Sequence, residues 1–375
     1  MDGDDLIELN GYLMNVFAGE GSDTVSLTGD NNRLSGDDGD DSLTVYGNAN
    51  IVFGGIGNDS IYAFGNNNVI FGGEGSKTIF VDGNDNAVYG GDGNLHTIYA
   101  LGHRNTLVGG EGITYFFVGD DESPAEDNLI VVDEGTAIGL GYVLRSTFLG
   151  GQQGDSFIFH GDNNLMLGGG GNDNLQLFGD RGRILGDDGN DFLFANGNRN
   201  NVNGGLGSDV IYCSGNSNRL FGGVESDFLI IIAGSTNILR GGGGEDWLLV
   251  DEGAGSGNIL ISGIGKDVLQ DRSSGQTTIF RWLALNESTR GIANADVVIG
   301  FTPGEDKLDL AALGPGLSFI GTAPFSGVAG QIRAVASGSD TLIRLDADGN
   351  GTPDFTIVLA NVSPTSLSVG DFILS

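Results

Sequence analysis

Single aspartates recur in this sequence at one fixed place inside glycine-rich turns, and carboxylates spaced in this way are suited to holding metal ions. The nonapeptide Gly-Gly-x-Gly-x-Asp-x-apolar-x is clear at residues 54–62, 168–176 and 204–212, and it recurs about every 18 residues up to residue 270. Carboxylate and carbonyl oxygens are the ligands that Ca²⁺ prefers, and glycine lets the backbone turn sharply around an ion. The pattern therefore predicts a row of calcium sites in these turns.

The aspartates form two columns, separated by several turns that lack them. The first column consists of Asp5, Asp23, Asp41 and Asp59. The second column consists of Asp155, Asp173, Asp191, Asp209, Asp227, Asp246 and Asp267. Lys77 stands where the first column would continue. Two interpretations remain open for it: its ammonium takes the place of a cation, or its side chain points to solvent.

The residues around the aspartates predict the elements that position them. Apolar residues stand two and four places after the aspartate, so both would face one side of a short strand and form a core. Cys213 occupies the second of these positions, and we expect a buried core residue rather than a nucleophile. A second turn, Gly-x-x-Asn-x-apolar, alternates with the first, as at Gly65–Asn68 and Gly215–Asn218. Its stacked asparagines predict an amide ladder. Since this turn lacks the aspartate, we expect calcium on one edge only.

The composition excludes several classes of protein. The 375 residues include 69 glycines, and 50 acidic against 16 basic side chains give a net charge of −34. This charge opposes binding to nucleic acid or to anionic membranes, and the chain should repel itself unless cations neutralise it. The acidic N-terminus has neither the basic start nor the apolar stretch that is typical of a secretory signal. No apolar run approaches the roughly 18 residues of a membrane span. With Cys213 alone, no internal disulfide is possible.

The repeats resemble the RTX (repeats-in-toxin, hemolysin-type) calcium-binding family. The resemblance implies an all-β, right-handed parallel β-roll, a β-solenoid, of about fifteen 18-residue coils over residues 1–272. It also implies that each ion lies between consecutive coils, so that four aspartates give three sites and seven give six. The ligands it implies are the aspartate carboxylates and loop carbonyls, here at Gly55, Gly57, Gly169, Gly171, Gly205 and Gly207. The stretch at about residues 72–149 would be a calcium-poor band.

Residues 273–375 depart from the period and resemble the C-terminal module of serralysin-type secreted proteins. The segment 295–310 carries the resemblance, and residues 369–375 resemble an uncleaved type I secretion signal. This implies a small β capping module, contact with the type I secretion machinery, and a bacterial protein that is secreted or held at the cell surface. Asp346, Asp348, Asn350 and Asp354 have the spacing of oxygen ligands in an EF-hand-like loop, but Ile357 stands where the loop needs its glutamate. Calcium binding and a plain acidic hairpin turn both remain open there.

No catalytic motif is evident, so we expect a protein that is not an enzyme. The three histidines, His96, His103 and His160, are isolated near turns, and we expect them to be exposed to solvent. An acidic insertion around Pro124, at residues 119–127, is either a functional loop or a solvated one.

Two functions remain open for the chain. One is a structural, adhesive or surface-layer role. The other is the calcium-dependent folding and export region of a larger secreted enzyme or toxin. The first coil lacks a polar cap, so its edge could stack on another copy or on a preceding region.

Overall fold

The structure, a computed structural model, describes residues 3–375 and is built almost entirely of short parallel β-strands. The chain divides into two compact units, residues 1–188 and 189–375. In the first unit the strands are β1 (Leu6–Asn10), β2 (Asn15–Glu20), β3 (Thr24–Thr28), β4 (Arg33–Asp38), β5 (Ser42–Tyr46), β6 (Ile51–Ile56), β7 (Ser60–Phe64), β8 (Val69–Glu74), β9 (Lys77–Asp82), β10 (Ala87–Gly91), β11 (Leu95–Leu101), β12 (Thr106–Gly110), β13 (Ile113–Val118), β14 (Ala125–Glu126), β15 (Leu129–Val131), β16 (Thr136–Leu144), β17 (Thr147–Leu149), β18 (Ser156–His160), β19 (Leu165–Gly170), β20 (Asn174–Phe178) and β21 (Arg183–Asp188).

The second unit continues the same alternation and then becomes irregular. Its strands are β22 (Phe192–Asn196), β23 (Asn201–Leu206), β24 (Val210–Ser214), β25 (Arg219–Val224), β26 (Phe228–Ala233), β27 (Ile238–Gly243), β28 (Trp247–Val250), β29 (Asn258–Ile264), β30 (Val268–Asp271), β31 (Thr278–Arg281), β32 (Asp296–Ile299), β33 (Lys307–Asp309), β34 (Ser318–Phe319), β35 (Gln331–Ser337), β36 (Asp340–Asp346), β37 (Phe355–Leu359) and β38 (Phe372–Ile373). Short 3₁₀ turns occupy Ile292–Asn294, Ala311–Leu313, Pro364–Ser366 and Val369–Asp371.

Within each unit, alternate strands form two parallel sheets. The strands that follow the aspartate turns, such as β5, β7 and β9, form what we call the aspartate sheet. The strands that follow the asparagine turns, such as β4, β6 and β8, form the asparagine sheet. Each strand pairs with the equivalent strand one coil away, so that Ser42 faces Ser60 at a separation of 18 residues. The predicted all-β solenoid of about fifteen coils is therefore confirmed.

The core lies between the two sheets and consists of the predicted apolar columns. Leu43, Ile61 and Ile79 of the aspartate sheet are fully buried, as are Val52 and Ile70 of the asparagine sheet. Cys213 belongs to this core, as predicted, and burial raises the pKa of its thiol to about 12. Each coil contributes only a few such residues, so its core is complete only when neighbouring coils stack on it.

Parallel pairing continues beyond residue 272. Strand β31 pairs with β29 and then with β33, and β32 pairs with β30. An antiparallel sheet of β35, β36 and β37 follows, and β37 adds to β32. The last strand, β38, pairs with β33, so the chain end packs on the asparagine sheet. The boundary predicted at residues 272/273 stays a prediction, because the division into compact units falls elsewhere.

The acidic insertion lies between β13 and β15, where sequence analysis placed it, and its strand β14 pairs with β16. Arg145 forms ion pairs with Glu126 and Asp127, the two residues at the end of the insertion. These contacts are exposed, so they order the surface more than they stabilise the fold. No helix among the described residues is long and apolar enough to cross a bilayer.

Candidate metal sites

The predicted aspartates are held in line by one hydrogen bond per coil. In the first column the backbone N–H of Asp5 donates to Asp23 Oδ1 at 2.7 Å, and the N–H of Asp23 donates to Asp41 Oδ1 at 2.8 Å. In the second column the N–H of Asp209 donates to Asp227 Oδ1 at 2.9 Å, and that of Asp227 donates to Asp246 Oδ1 at 2.9 Å. Each carboxylate thus has one oxygen fixed by the protein and a second oxygen aimed along the turn.

That second oxygen is buried and makes no hydrogen bond in the described part of the chain. This is true of Oδ2 in Asp5, Asp23, Asp41, Asp209, Asp227, Asp246 and Asp267. A buried carboxylate oxygen without a partner is strongly unfavourable unless it is protonated or bound to a cation. A row of such oxygens at equivalent places in successive coils is what a row of cations would require.

The glycines of the turn leave room for the aspartate carboxylate and for a carbonyl oxygen of the next coil. A Cβ atom on Gly204 would collide with Asp209 Oδ2 and with the Gly222 carbonyl oxygen. A Cβ on Gly222 would likewise meet Asp227 Oδ2 and, at 2.6 Å, the Gly241 carbonyl oxygen. Carboxylate and carbonyl oxygens therefore converge beside these glycines, which is the hard-oxygen donor set that suits Ca²⁺.

The predicted loop glycines adopt backbone angles that side chains disfavour. Gly55, Gly57, Gly169, Gly171, Gly205 and Gly207 have φ values of +108°, +134°, +94°, +96°, +125° and +110°. Glycine reaches this region without strain, and it turns the peptide carbonyls around each coil edge. The resemblance assigned these carbonyls as ligands, and that assignment stays a prediction.

The electrostatics of the second column are unfavourable without a cation. Burial raises the pKa of Asp227 to about 8, against the lowering effect of the Asp209 N–H, and the carboxylates of Asp246 and Asp209 raise it further. Burial also raises the pKa values of Asp209 and Asp246 to about 7 and that of Asp267 to about 6. In the first column the pKa of Asp41 is raised to about 6, chiefly by burial. A bound divalent cation would favour the ionised forms of these groups.

Lys77 closes the first column, and the interpretation that it points to solvent is wrong. Its side chain is only 2% exposed. Its Nζ lies 2.8 Å from Asp59 Oδ2 and donates to the Gly57 and Glu74 carbonyl oxygens at 2.5 Å. A longer bond of 3.3 Å reaches the Gly55 carbonyl oxygen. The ammonium therefore contacts the same kinds of atoms that line the aspartate turns.

The next three coils fill the column with His96, Thr114 and Ala137, as the register shows. The expectation that His96 is exposed is wrong, because it is fully buried, and neither ring nitrogen makes a hydrogen bond of ordinary geometry. Burial and the charge of Lys77 lower the pKa of the imidazole. A one-residue insertion before His96 hid its place in the column, since it pairs with Lys77 at a separation of 19.

The other two histidines lie outside the column. His103 is half-buried, and its Nδ1 accepts a hydrogen bond from the Glu126 N–H at 3.1 Å. His160 lies in β18 rather than in a turn, and it stacks between Tyr142 and Phe178 with ring centroids 4.8 Å apart on each side.

Asp155, at the start of the second column, differs from the others. Its Oδ1 accepts the Ala137 N–H at 2.6 Å, and its Oδ2 accepts the Gly151 N–H at 3.1 Å. Both oxygens are therefore engaged by backbone, whereas Oδ2 of Asp209, Asp227, Asp246 and Asp267 makes no hydrogen bond in the described part of the chain. The spacing of the repeat alone predicts that Asp155 is an ordinary member of the column.

The second column also has a member that sequence analysis missed. Asp296 Oδ1 accepts the Asp267 N–H at 2.9 Å, so the ladder continues across 29 residues. The indole N–H of Trp282 donates to Asp296 Oδ2 at 2.7 Å and occupies the oxygen that would otherwise face a cation. Burial raises the pKa of Asp296 to about 8. The one signal in the sequence is that Asp296 begins an Asp-x-apolar segment without preceding glycines.

The opposite edge forms the predicted amide ladder. The N–H of Asn32 donates to Asn50 Oδ1 at 2.9 Å, and the same bond joins Asn50 to Asn68. The Asn68 side-chain amide also donates to the Gly47 carbonyl at 3.1 Å. Hydrogen bonds from backbone N–H groups to asparagine side chains therefore join the coils along this edge without a carboxylate.

The acidic loop at 346–354 forms a hairpin turn between β36 and β37. Asp346 is buried, and its carboxylate accepts the N–H groups of Gly349, Asn350 and Gly351. Asp354 binds Arg290 at 2.7 Å. Ligand oxygens of Asp346, Asp348 and Asp354 nonetheless lie within 4.8 Å of one another. The backbone donors and Arg290 already neutralise much of this charge, and calcium binding here stays a prediction.

Two family models that match the chain agree with this geometry. The family model described as peptidase M10 serralysin C terminal matches residues 149–374. The model of the RTX calcium-binding nonapeptide repeat (4 copies) matches residues 17–45, 44–79 and 62–94. No curated protein matches the chain. The solved AlgE6R3 subunit of the Azotobacter vinelandii mannuronan C5-epimerase is similar at 25% identity over 40% of this chain and 79% of that chain, with a TM-score of 0.31. The AlgE6R2 subunit of the same enzyme is similar at 26% identity over 40% of this chain and 91% of that chain, with a TM-score of 0.29.

The two family models divide the chain between them. The repeat model covers most of the first aspartate column and the Lys77 coil, and the serralysin model covers the second column and the irregular C-terminal part. Together they support calcium binding by the turns and a secreted protein of the type I export route. The chain therefore belongs to the serralysin C-terminal family and is a calcium-binding β-roll protein with RTX repeats.

Proposed function

We propose that this protein has a structural or adhesive role outside the cell, as part of a surface layer or matrix, and that its coils become fixed when calcium binds between them. The observation that supports the calcium-dependent part of the proposal is the row of buried Oδ2 atoms without hydrogen-bond partners in the two aspartate columns. With calcium the columns become cross-links between coils, because each cation attracts the carboxylates of two neighbouring coils. Without it they place like charges about one strand spacing, or 4.8 Å, apart.

We also propose that the chain has no enzymatic activity of its own. His96 is buried in the column, and His160 is held between two aromatic rings. Neither arrangement leaves an imidazole beside a nucleophile, as acid–base catalysis would need.

The test of the calcium-dependent fold is far-UV circular dichroism during a calcium titration that starts in excess chelator. We expect an incomplete β spectrum in chelator and a cooperative gain with a midpoint in the millimolar range of extracellular calcium modules. Counting bound calcium on the folded protein, by mass spectrometry under native conditions, gives the number of ions. A complete β spectrum in chelator, with no ions bound after calcium is added, would overturn the proposal.

A second candidate function rests on the first described coil. Its strand β1 pairs with β3 on one side, and Leu6, Tyr12 and Leu13 are 75%, 70% and 79% exposed. An apolar strand edge of this kind favours stacking of another coil. The occupant is a second copy in the structural role, or a preceding region if the chain serves the folding and export of a larger secreted enzyme or toxin.

Light scattering distinguishes these two candidates. If copies stack, the apparent mass rises with calcium, and Leu13→Asn lowers this self-association because it removes an exposed apolar side chain. Asparagine also suits the backbone angle of φ +57° at this position, so the variant should keep the local fold. Val328→Ser is the matched control, since Val328 is 57% exposed and lies outside the repeats. A protein that remains monomeric at high concentration with calcium excludes self-stacking and favours the export role.

A further inference from the structure

Lys77 is the one lysine of the chain that is buried in an aspartate turn. The other two lysines, Lys266 and Lys307, have no comparable environment: Lys266 is exposed, and Lys307 donates to the Gly370 carbonyl at the surface. Lys77 instead contacts one carboxylate oxygen and three carbonyl oxygens, those of Asp59, Gly55, Gly57 and Glu74. A buried ammonium is tolerated only when such a full set of partners surrounds it.

The path of this side chain coincides with the space of the aspartate carboxylate in neighbouring coils. A Cβ atom on Gly54 would lie 2.5 Å from Asp59 Oδ2 and would meet the carbonyl oxygen of the next coil. A Cβ on the equivalent Gly72 would again meet the carbonyl of the next coil, but in place of the carboxylate it would lie 2.9 Å from Lys77 Cγ. The lysine stem therefore replaces the aspartate, and its ammonium reaches back to the oxygens of the preceding turn.

We propose that the Lys77 ammonium is a covalently tethered cation that occupies the calcium position between the coils of Asp59 and Lys77. The proposal rests on the proposed function, because it assumes that the equivalent positions between aspartates bind calcium. It follows that this interface is closed without calcium and cannot exchange its cation. The coils of β7 and β9 then remain joined when calcium is withdrawn. The first aspartate column binds three calcium ions.

Chemical labelling of the unmodified protein tests the closed interface directly. Acetic anhydride is applied at equal dose in excess chelator and in excess calcium, and the acetylation of each lysine is measured by peptide mass spectrometry. We expect Lys77 to be labelled at least tenfold more slowly than Lys266 in both conditions. Labelling of Lys77 at the rate of Lys266 in chelator would overturn the proposal.

Calcium counting on two variants tests the position of the cation. Lys77→Asp restores the column, and we expect one more calcium per chain than in the unmodified protein. Lys77→Met fills the same space without charge, and we expect no additional ion and a loss of amide protection in β7 and β9 in chelator. Lys266→Met, which removes an exposed charge from another turn, should change neither quantity.

The outcomes separate this inference from the function on which it rests. If the unmodified protein binds no calcium, the proposed function fails. If it binds calcium but Lys77→Asp gains no ion, and Lys77→Met keeps its amide protection in chelator, the tethered cation is wrong while the calcium-binding role stands. The labelling result does not depend on how well either variant folds.

Discussion

Replacing Asp227 by asparagine should change the stability of the protein in opposite directions with and without calcium. Asp227 is 3% exposed, its Oδ1 accepts the Asp209 N–H, and its Oδ2 makes no hydrogen bond in the described chain. The amide keeps the size of the side chain and an oxygen for the Asp209 bond. It removes the negative charge that calcium needs and that the ion-free fold must bury.

The magnitude without calcium follows from the pKa of Asp227. Burial raises this pKa from 3.8 to about 8. At pH 7.5 the folded state must therefore keep or take up a proton that the unfolded chain has lost. Since each pH unit of pKa difference is worth about 1.4 kcal/mol, the upper bound of this cost is about 5 kcal/mol. Water that reaches the turn and local relaxation reduce it, so we expect Asp227→Asn to gain on the order of 2 kcal/mol in chelator.

The sign reverses with calcium. Asp227 lies between two neighbouring ion positions, toward Asp209 and toward Asp246, so the asparagine weakens both. A site at a calcium concentration one hundred times its Kd contributes about 2.7 kcal/mol to stability. Loss of most of the binding at two sites removes roughly 3–5 kcal/mol of stabilisation, and the gain of about 2 kcal/mol in the ion-free fold offsets part of it, so the net loss in calcium should be roughly 1–3 kcal/mol.

The assay is urea unfolding followed by circular dichroism, in excess chelator and in excess calcium, at pH 7.5. Glu252→Gln is the matched control, because it removes one exposed carboxylate that lies outside the aspartate turns. Its two unfolding midpoints should both stay near those of the unmodified protein. If Asp227→Asn lowers the midpoint in both conditions, or raises it in both, the argument from the unpartnered carboxylate is refuted.

Two further predictions concern the same turns. The calcium-free protein should become less stable as the pH rises from about 4 to 7, because the pKa values of Asp209 and Asp246 are raised to about 7 in the fold, so the folded state holds protons that the unfolded chain has released. Thermal melts in chelator check this, and a melting temperature that rises over that interval would contradict it. Gly204→Ala should abolish one calcium site, because its Cβ would collide with Asp209 Oδ2, whereas Gly243→Ala should bind the full complement, because a Cβ there meets nothing within 4 Å. Calcium counting compares the two, and equal counts would show that the position of the Asp209 carboxylate beside Gly204 is not needed for calcium binding.

Because the sequence is repetitive, most of the local structure could be predicted from it. Each turn has its own glycines and its own aspartate or asparagine, and each strand has its own apolar residues that face the core. The residues that determine the conformation of a coil therefore lie within about 18 residues of one another. The sheets, the buried columns, the amide ladder and the burial of Cys213 all follow from such local information. Prediction from the sequence failed where the spacing is irregular. A one-residue insertion concealed the place of His96, and the 29-residue gap before Asp296 concealed the end of the second column.

The sequence by itself therefore determined the solenoid, the two aspartate columns and the residues that face the core, because these depend on spacing within one coil. The tertiary structure alone decided how the columns begin and end, because that depends on atoms from different coils. The sequence allows the Lys77 side chain to point either to solvent or into the turn. Its hydrogen bonds to the Gly55 and Gly57 carbonyl oxygens show that the ammonium lies in the turn. The same is true of Trp282, whose indole reaches Asp296 only because the irregular C-terminal segment folds back onto the last coil.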